Sequence, residues 1–380
     1  HYRSHSFPTR RSSDLEFIND ELSDASGGFY SALDADSLDE NNKEEEGAYY
    51  TWSRAELEEL LGDDFEIFAD YFNINSFGKW EEKYVFIQTQ AEEKIAANHG
   101  LSLEGLQQKI EKNQKLLKKE RSKRQKPGLD DKSLCSWNAL MLTGLIEAYK
   151  AFNEIQFLER ARSSAEFVKN QFLKNDYSLW HSYKAGKSSI EGFLEDYAFC
   201  IEAFLEMYEV TFQPEYLELA QKLSKKCVEN FSDDQTGLFW FTSKQQASLI
   251  NKTRELTDNV IPSSNSVMAH NLFKLGKHLD SSEYSDRAEK MLKTVQDQFE
   301  TYPRGYYNWL NLMLNFTNPF YEIAILGPNA LIMGQQFQKK YLPNTLFAGS
   351  TESSKLALLN YRFEENNDLI YVCENGSCQL

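Results

Sequence analysis

Between residues 130 and 300 the apolar and polar positions alternate between two kinds of helix. The segments WNALMLTGLIEAYKAF (137–152), LEDYAFCIEAFLEMYEV (194–210) and SNSVMAHNLFKLG (264–276) are apolar on nearly every side. A helix with that pattern is covered all round. Each is followed by a helix with a single apolar stripe. Phe157, Leu158, Ala161, Ala165, Val168 and Phe172 form one such stripe, and Tyr216, Leu217, Ala220, Leu223, Cys227 and Phe231 another. That spacing buries one face and leaves the other in water. The striped helices open alike, at Phe157-Leu158-Glu159-Arg160-Ala161, Tyr216-Leu217-Glu218-Leu219-Ala220 and Tyr284-Ser285-Asp286-Arg287-Ala288, 59 and 68 residues apart. The stretches 177–192 and 236–250 alternate like hairpin strands. The repeating unit is therefore inner helix, outer helix, β-hairpin. Buried inner helices favour a closed α/α toroid over an open superhelix, which would need more polar inner helices.

Outside the repeats the pattern changes. Residues 53–72 predict two short helices broken at Gly62, the first opened by a Ser53-x-x-Glu56 capping box. Residues 91–126 predict one long polar helix, and 109–126 carry nine Lys/Arg and two Glu; that run reads as a solvated face. At the C-terminus, 321–327, 345–349 and 369–374 read as strands and 330–341 as a helix, a small α/β cap. Residues 1–15 carry three Arg and one Asp, against 38 basic and 57 acidic residues in 16–380. They read as a non-native leader, after which the chain enters at the tail of a helix. The expected organisation is a leader (1–15), a partial barrel (16–318) and a cap (319–380).

The whole chain has 380 residues and a formal net charge of −17. That acidity argues against a general nucleic-acid or anionic-membrane partner, and no apolar run reaches the ~20 residues of a membrane span. Cys135, Cys200, Cys227, Cys373 and Cys378 are scattered and odd in number, which predicts a reduced, cytoplasmic protein with Cys373 and Cys378 as ordinary thiols. No zinc spacing occurs and Asp34-x-Asp36 lacks the later ligands of a calcium loop, so neither metal nor cofactor is expected.

The segments GGFYSALDADS (27–37), EEGAYYTWSRAEL (45–57), DDKSLCSWNALM (130–141), EGFLEDYAF (191–199), DNVIPSSNS (258–266) and YVCENGSC (371–378) resemble one family. It is the thioredoxin-domain-containing proteins related to spermatogenesis-associated protein 20. The resemblance implies an N-terminal thioredoxin-like domain, absent from this sequence and the expected partner of what is present. It also implies an (α/α)6 six-hairpin barrel similar to sugar epimerases and glucuronyl hydrolases. The expected fold is thus mainly α, a partial (α/α)6 toroid with short β-hairpins between helical hairpins and a small C-terminal α/β cap.

In such toroids the inner helices start at one mouth. Those starts carry Trp137 and Asn138, then Glu195, Asp196 and Tyr197, then Asp258 and Asn265, while the 27–37 loop adds Asp34 and Asp36. Carboxylates interleaved with aromatics suit a sugar, whose C–H faces stack on rings and whose hydroxyls meet carboxylates. Asp196, Asp34 and Asp36 are the candidate catalytic residues. Trp137, Asn138, Glu195, Tyr197, Asp258 and Asn265 are the candidate substrate-binding residues. Asp, Asn and Ser at helix starts are also ordinary caps. His181 lies in a hairpin near the mouth and could serve as a base; His270 reads as a buried histidine. Two functions compete. One is a glycosidase-like or epimerase-like barrel acting on or binding a small saccharide. The other is a non-catalytic module presenting a ligand or protein client to the thioredoxin-like domain.

Overall fold

The computed structural model describes residues 15, 17–39, 41–75, 79–80, 82–246, 252–374 and 376–380. The expected leader therefore lies, Leu15 apart, outside the described residues. The chain divides into two compact units, 32–130 and 1–31 with 131–380. Residues 32–130 thus form one unit, and 319–380 fall in the same unit as the helical hairpins.

In the first unit, β1 (Ala32–Leu33) pairs with β6 (Leu129–Asp130), β2 (Asp36–Leu38) with β3 (Glu44–Glu46), and β4 (Lys79–Trp80) with β5 (Lys83–Tyr84). Helix α1 (Arg54–Leu61) begins at the predicted capping box, with both Ser53 and Glu56 bonds formed. Gly62 ends it, and α2 (Phe65–Tyr71) follows. The expected long helix is two, α3 (Glu92–Asn98) and α4 (Leu103–Arg121). Gly100 takes a φ of +66° between them, which a helix cannot continue through, and Ser102 caps the second. Trp52, Leu57, Phe68, Ile95, Leu106 and Ile110 share one core. Arg124 donates to the carbonyls of Ala48, Tyr49 and Thr51, pairs with Glu56 at 2.9 Å and stacks 3.9 Å over Trp52. The basic run is thus partly a structural strap.

The second unit holds the predicted hairpins: α5 (Cys135–Phe152) with α6 (Ile155–Gln171), α7 (Leu194–Thr211) with α8 (Pro214–Phe231), and α9 (Ser264–Leu279) with α10 (Ser282–Val295). The inner helices pack side by side in the order α5, α7, α9, and α11 (Tyr307–Thr317) continues the row against α9. Almost every residue of α7 is buried, as its all-round apolarity requires. This is the segment of an α/α toroid that the repeat predicts.

The loops repeat too. Antiparallel bridges Ser23 to Phe29, Leu173 to Leu179 and Ser232 to Phe239 close the turn before each inner helix. Arg160 stacks over Phe29 at 4.6 Å, and Arg287 over Phe239 at 4.4 Å. The first expected hairpin forms as β8 (Trp180–Lys184) and β9 (Lys187–Glu191), with β7 (Ser133–Leu134) added on the β8 edge. For the second, 236–246 contain no strand, and 247–251 lie outside the described residues. Asn265 takes both the N–H and the carbonyl of Phe239, and Phe241 N–H donates to the Thr253 carbonyl at 2.9 Å.

The C-terminal elements are β10 (Tyr321–Leu326), α12 (Ala330–Gln338), β11 (Thr345–Ser350), β12 (Leu369–Glu374) and β13 (Ser377–Gln379). β10 runs parallel to β11 and antiparallel to β12. Cys373 and Cys378 face each other across the β12–β13 hairpin and form a disulfide. The expectation of two thiols is corrected, because the hairpin register puts both side chains on one side. No helix among the described residues is long and apolar enough to cross a membrane.

Candidate functional site

The chemistry-bearing groups gather where α5, α7 and α9 begin. Asp196 sits in the first turn of α7 and is fully buried. One oxygen accepts the Phe193 N–H at 2.8 Å, capping its own helix. The other accepts the Ser136 N–H at 3.0 Å, capping α5. A single negative charge thus serves two helix N-termini, each of which has free N–H groups and a positive dipole end. Asp258 repeats the device. It accepts from Ser263 N–H at 2.9 Å before α9 and from Asn308 N–H at 2.8 Å in α11, and also from the Ser266 hydroxyl.

Asp196 has one further partner. The β8–β9 hairpin brings His181 over it, with Nδ1 3.0 Å from Oδ2 and 3.2 Å from Oδ1. The hairpin is held there by β7, whose Leu134 pairs with Ser182 and leads directly into α5. The His181 ring meets Phe193 edge-on at 4.8 Å, and Phe193 stacks on Phe241 at 5.2 Å. The hydrogen bond to Asp196 raises the His181 pKa above its ordinary value, against the opposing effect of burial. Burial pushes the Asp196 carboxyl up, opposed by His181 and the two backbone donors.

Glu195, the next residue back, is half-buried. Burial first, then the charges of Asp196 and Glu255, push it up to about 7, with His181 acting the other way. Glu255 accepts the Ser264 N–H at 3.1 Å at the start of α9. One ligand atom from each of His181, Glu195 and Asp196 lies within 4.8 Å of the others. The three could chelate a divalent cation, but Asp196 already accepts three N–H donors. Behind them the Cys135 and Cys200 sulfurs lie 3.5 Å apart, both buried.

Of the sequence candidates, Glu195 and Asp196 belong to this cluster. Trp137 follows Ser136 and is 49 % exposed, a ring available to a ligand. Asn138 and Asn265 are buried and committed to backbone: Asn138 to Phe29 N–H, Phe29 carbonyl and Leu134 carbonyl, Asn265 to Phe239 and the Glu255 carbonyl. They clamp each incoming loop, with both N–H donors and one Oδ1 position used. Tyr197 accepts the Leu179 N–H at 3.0 Å and packs on Phe231, a structural role. Asp258 is occupied as described. Asp34 and Asp36 are exposed members of the 32–130 unit, where Asp34 N–H donates to the Gly128 carbonyl and Asp36 pairs with Glu46 across β2–β3. His270 is buried with Nε2 2.8 Å from the Asn308 carbonyl, and burial lowers it to about 4. A polar cavity of about 340 Å³ opens beside Tyr197, lined by Lys174, Asp176, Glu191, Lys226 and Asn230. His181, Glu195 and Asp196 do not line it.

The pairing of His181 with Asp196 and the presence of Glu255 are absent from the sequence expectation. The alternation of 177–192 was a signal for the first; nothing in the aperiodic 252–258 stretch marks the second.

The class defined is a helical-hairpin protein with an imidazole–carboxylate cluster where its inner helices start. No family model matches the chain. The chain is homologous to spermatogenesis-associated protein 20: it is 28 % identical to the Mus musculus protein, the match covering 96 % of this chain and 52 % of that one. An uncharacterised Caenorhabditis elegans protein is 31 % identical over 310 residues, 74 % of this chain and 42 % of that one. The chain thus spans about half the length of the curated relatives it matches. Among solved structures, cellobiose 2-epimerase from Bacillus thermoamylovorans has a TM-score of 0.37 at 12 % identity, covering 77 % of this chain and 72 % of that one. A GH76 α-mannanase from Bacteroides thetaiotaomicron has a TM-score of 0.38 at 14 % identity, covering 77 % and 71 %. Unsaturated glucuronyl hydrolase from Bacillus sp. GL1 has a TM-score of 0.36 at 15 % identity, covering 44 % and 46 %. At these scores the likeness says nothing about the site.

Proposed function

We propose that the mouth of the helical row binds a small saccharide and that His181 transfers a proton to or from it. The observation that carries this is the His181–Asp196 pair with Glu195 beside it. A fully buried carboxylate holding one ring nitrogen of a histidine fixes the tautomer and orientation of the ring, leaving Nε2 for a substrate. Asp196 is then a positioning residue, and Glu195 and Trp137 face the ligand.

An imidazole beside a raised carboxyl favours proton transfer on an open-chain sugar, as in isomerisation or epimerisation. Glycoside hydrolysis wants two carboxyl groups about 5–10 Å apart across the bond. Here Asp196 is enclosed and its neighbour Glu195 is adjacent in sequence. The resemblance to thioredoxin-domain-containing proteins supports a thioredoxin-like domain as partner in the whole protein; the buried free thiols Cys135, Cys200 and Cys227 fit the cytoplasmic setting proposed for it, while the Cys373–Cys378 disulfide weighs against it.

The test is to incubate the chain in deuterated water with a panel of aldoses and ketoses and follow proton NMR. Deuterium entering at the carbon next to the carbonyl, and lost in a folded His181→Asn variant, is the expected result. Saccharide binding without exchange would leave the binding-module reading in its place.

A further inference from the structure

The β12–β13 hairpin carries reactive groups that the mouth does not use. Cys373 and Cys378 are bonded across it, and Arg362 lies against both sulfurs. Its Nη1 donates to Cys373 Sγ at 3.1 Å and its Nη2 to Cys378 Sγ at 3.0 Å. Tyr371 precedes Cys373 by two residues, so both side chains share one face of β12. The guanidinium stacks over that Tyr371 ring at 5.1 Å. Arg362 N–H donates to the carbonyl of buried Leu359 at 3.3 Å, which anchors the turn that delivers it. Among the described residues, no carboxylate pairs with this guanidinium. Glu322 stands opposite Cys373 in the β10–β12 register, and Lys277 holds its carboxylate at 2.9 Å. Glu374, the next residue, is exposed on the other face of β12.

A disulfide sulfur is neutral and a weak acceptor. A guanidinium spread over both sulfurs therefore contributes little to the oxidised pair. It contributes far more once the pair is reduced, because a thiolate beside an arginine is stabilised. Stabilising the reduced form makes a disulfide a better oxidant. The two sulfurs also differ in access. Cys373 is fully buried, whereas Cys378 is half-exposed near the end of β13. An incoming thiolate can reach Cys378, and the sulfur it displaces is the enclosed one.

We infer that Cys373–Cys378 is a thiol–disulfide exchange site that oxidises dithiols. One thiolate of the dithiol attacks Cys378 Sγ, the Cys373–Cys378 bond breaks, and Cys373 leaves as a thiolate held by Arg362 Nη1. The second thiolate then attacks the dithiol's own sulfur in the mixed disulfide and releases Cys378. The dithiol gives up two electrons and two protons in becoming a disulfide. The cysteine pair takes the electrons, and the protons pass to its sulfurs or to water. Exchange also allows this disulfide to share a chain with the free thiols Cys135, Cys200 and Cys227, since disulfides in reducing compartments are transient and catalytic.

The test equilibrates the full chain at pH 7 with glutathione buffers of graded redox ratio, two glutathiones standing in for one dithiol. Acid quenching, denaturing alkylation and peptide mass spectrometry then read the Cys373–Cys378 pair alone. Arg362→Gln should shift the equilibrium toward the disulfide by at least ~10-fold, the scale of one charge-assisted contact. Arg362→Lys keeps the charge and should shift it by less. Equal equilibria in the parent and a folded Arg362→Gln, or a parent pair that stays oxidised in every buffer, would overturn the inference and leave a structural staple. Single-cysteine variants test the order of attack independently of Arg362. With oxidised glutathione, Cys378 in the Cys373→Ser variant should form a mixed disulfide at least ~10-fold faster than Cys373 in the Cys378→Ser variant. Equal rates, or the reverse preference, would also overturn it.

Discussion

Glu195 offers the most quantitative handle on the mouth. Its carboxyl is pushed from an ordinary 4.5 up to about 7 by burial and by Asp196 and Glu255. A folded-state value above the unfolded one means that ionisation opposes folding. The penalty is absent below about pH 4.5, grows between there and 7, and is complete above 7. At ~1.4 kcal/mol per pH unit the gap sets a ceiling near ~3 kcal/mol. Glu195 is only half-buried, and solvent screening reduces this to roughly 1–2 kcal/mol. Glu195→Gln removes the ionisation and keeps the shape. The variant should match the parent at pH 4.5 and exceed it by ~1–2 kcal/mol at pH 8, about 2–4 °C in melting temperature. Loss of the Glu195 charge also weakens the support it gives the protonated His181, but that contribution is smaller than the one from Asp196. Chemical denaturation of both proteins at four pH values between 4.5 and 8 measures the difference. Parallel curves, with no growing advantage for Gln, would show that the carboxyl does not experience the repulsion described.

Other outcomes follow from the same contacts. Asp196→Asn turns one acceptor oxygen into a donor facing a backbone N–H, so it should cost ~2–4 kcal/mol in urea denaturation, well above the ~1 kcal/mol of an ordinary cap. Asn265→Ala leaves the Phe239 amide and carbonyl without partners and should cost ~2 kcal/mol in the same assay, with Asn138→Ala costing a similar amount at Phe29. Arg124→Ala removes the strap on three carbonyls and the stacking on Trp52, and should raise protease cleavage within 32–130 well before it affects the helical hairpins. Reducing the Cys373–Cys378 disulfide should lower stability by at most ~2 kcal/mol, because the loop it closes is short.

The helical framework was legible because it is written in periodicity. Helix α7 is apolar all round and is buried all round, and α6 and α8 carry single stripes and pack by them. What the sequence does not show depends on partners distant along the chain. Asn138 and Asn265 occupy helix starts, where a ligand contact and a loop clamp look alike in sequence. The bonds to Phe29 and Phe239 that make the clamp are visible only in the fold. The long helix over 91–126 failed at Gly100, whose positive φ a propensity average does not see. His181 was visible as a hairpin histidine, but its pairing with Asp196 depends on β7 fixing the hairpin above α5 and α7.

The central claim is that Asp196 holds His181 ready for a saccharide. Labelling the histidines with ¹⁵N and following the His181 ring through a pH titration tests it most directly, in the parent, in Asp196→Asn and with an aldose or ketose of the panel present. The account predicts a titration above the ordinary 6.5 in the parent, a fall in Asp196→Asn, and a shift of the Nε2 resonance when the sugar binds. An imidazole that titrates at 6.5 in both proteins, with both ring resonances unmoved by the sugar, would contradict it.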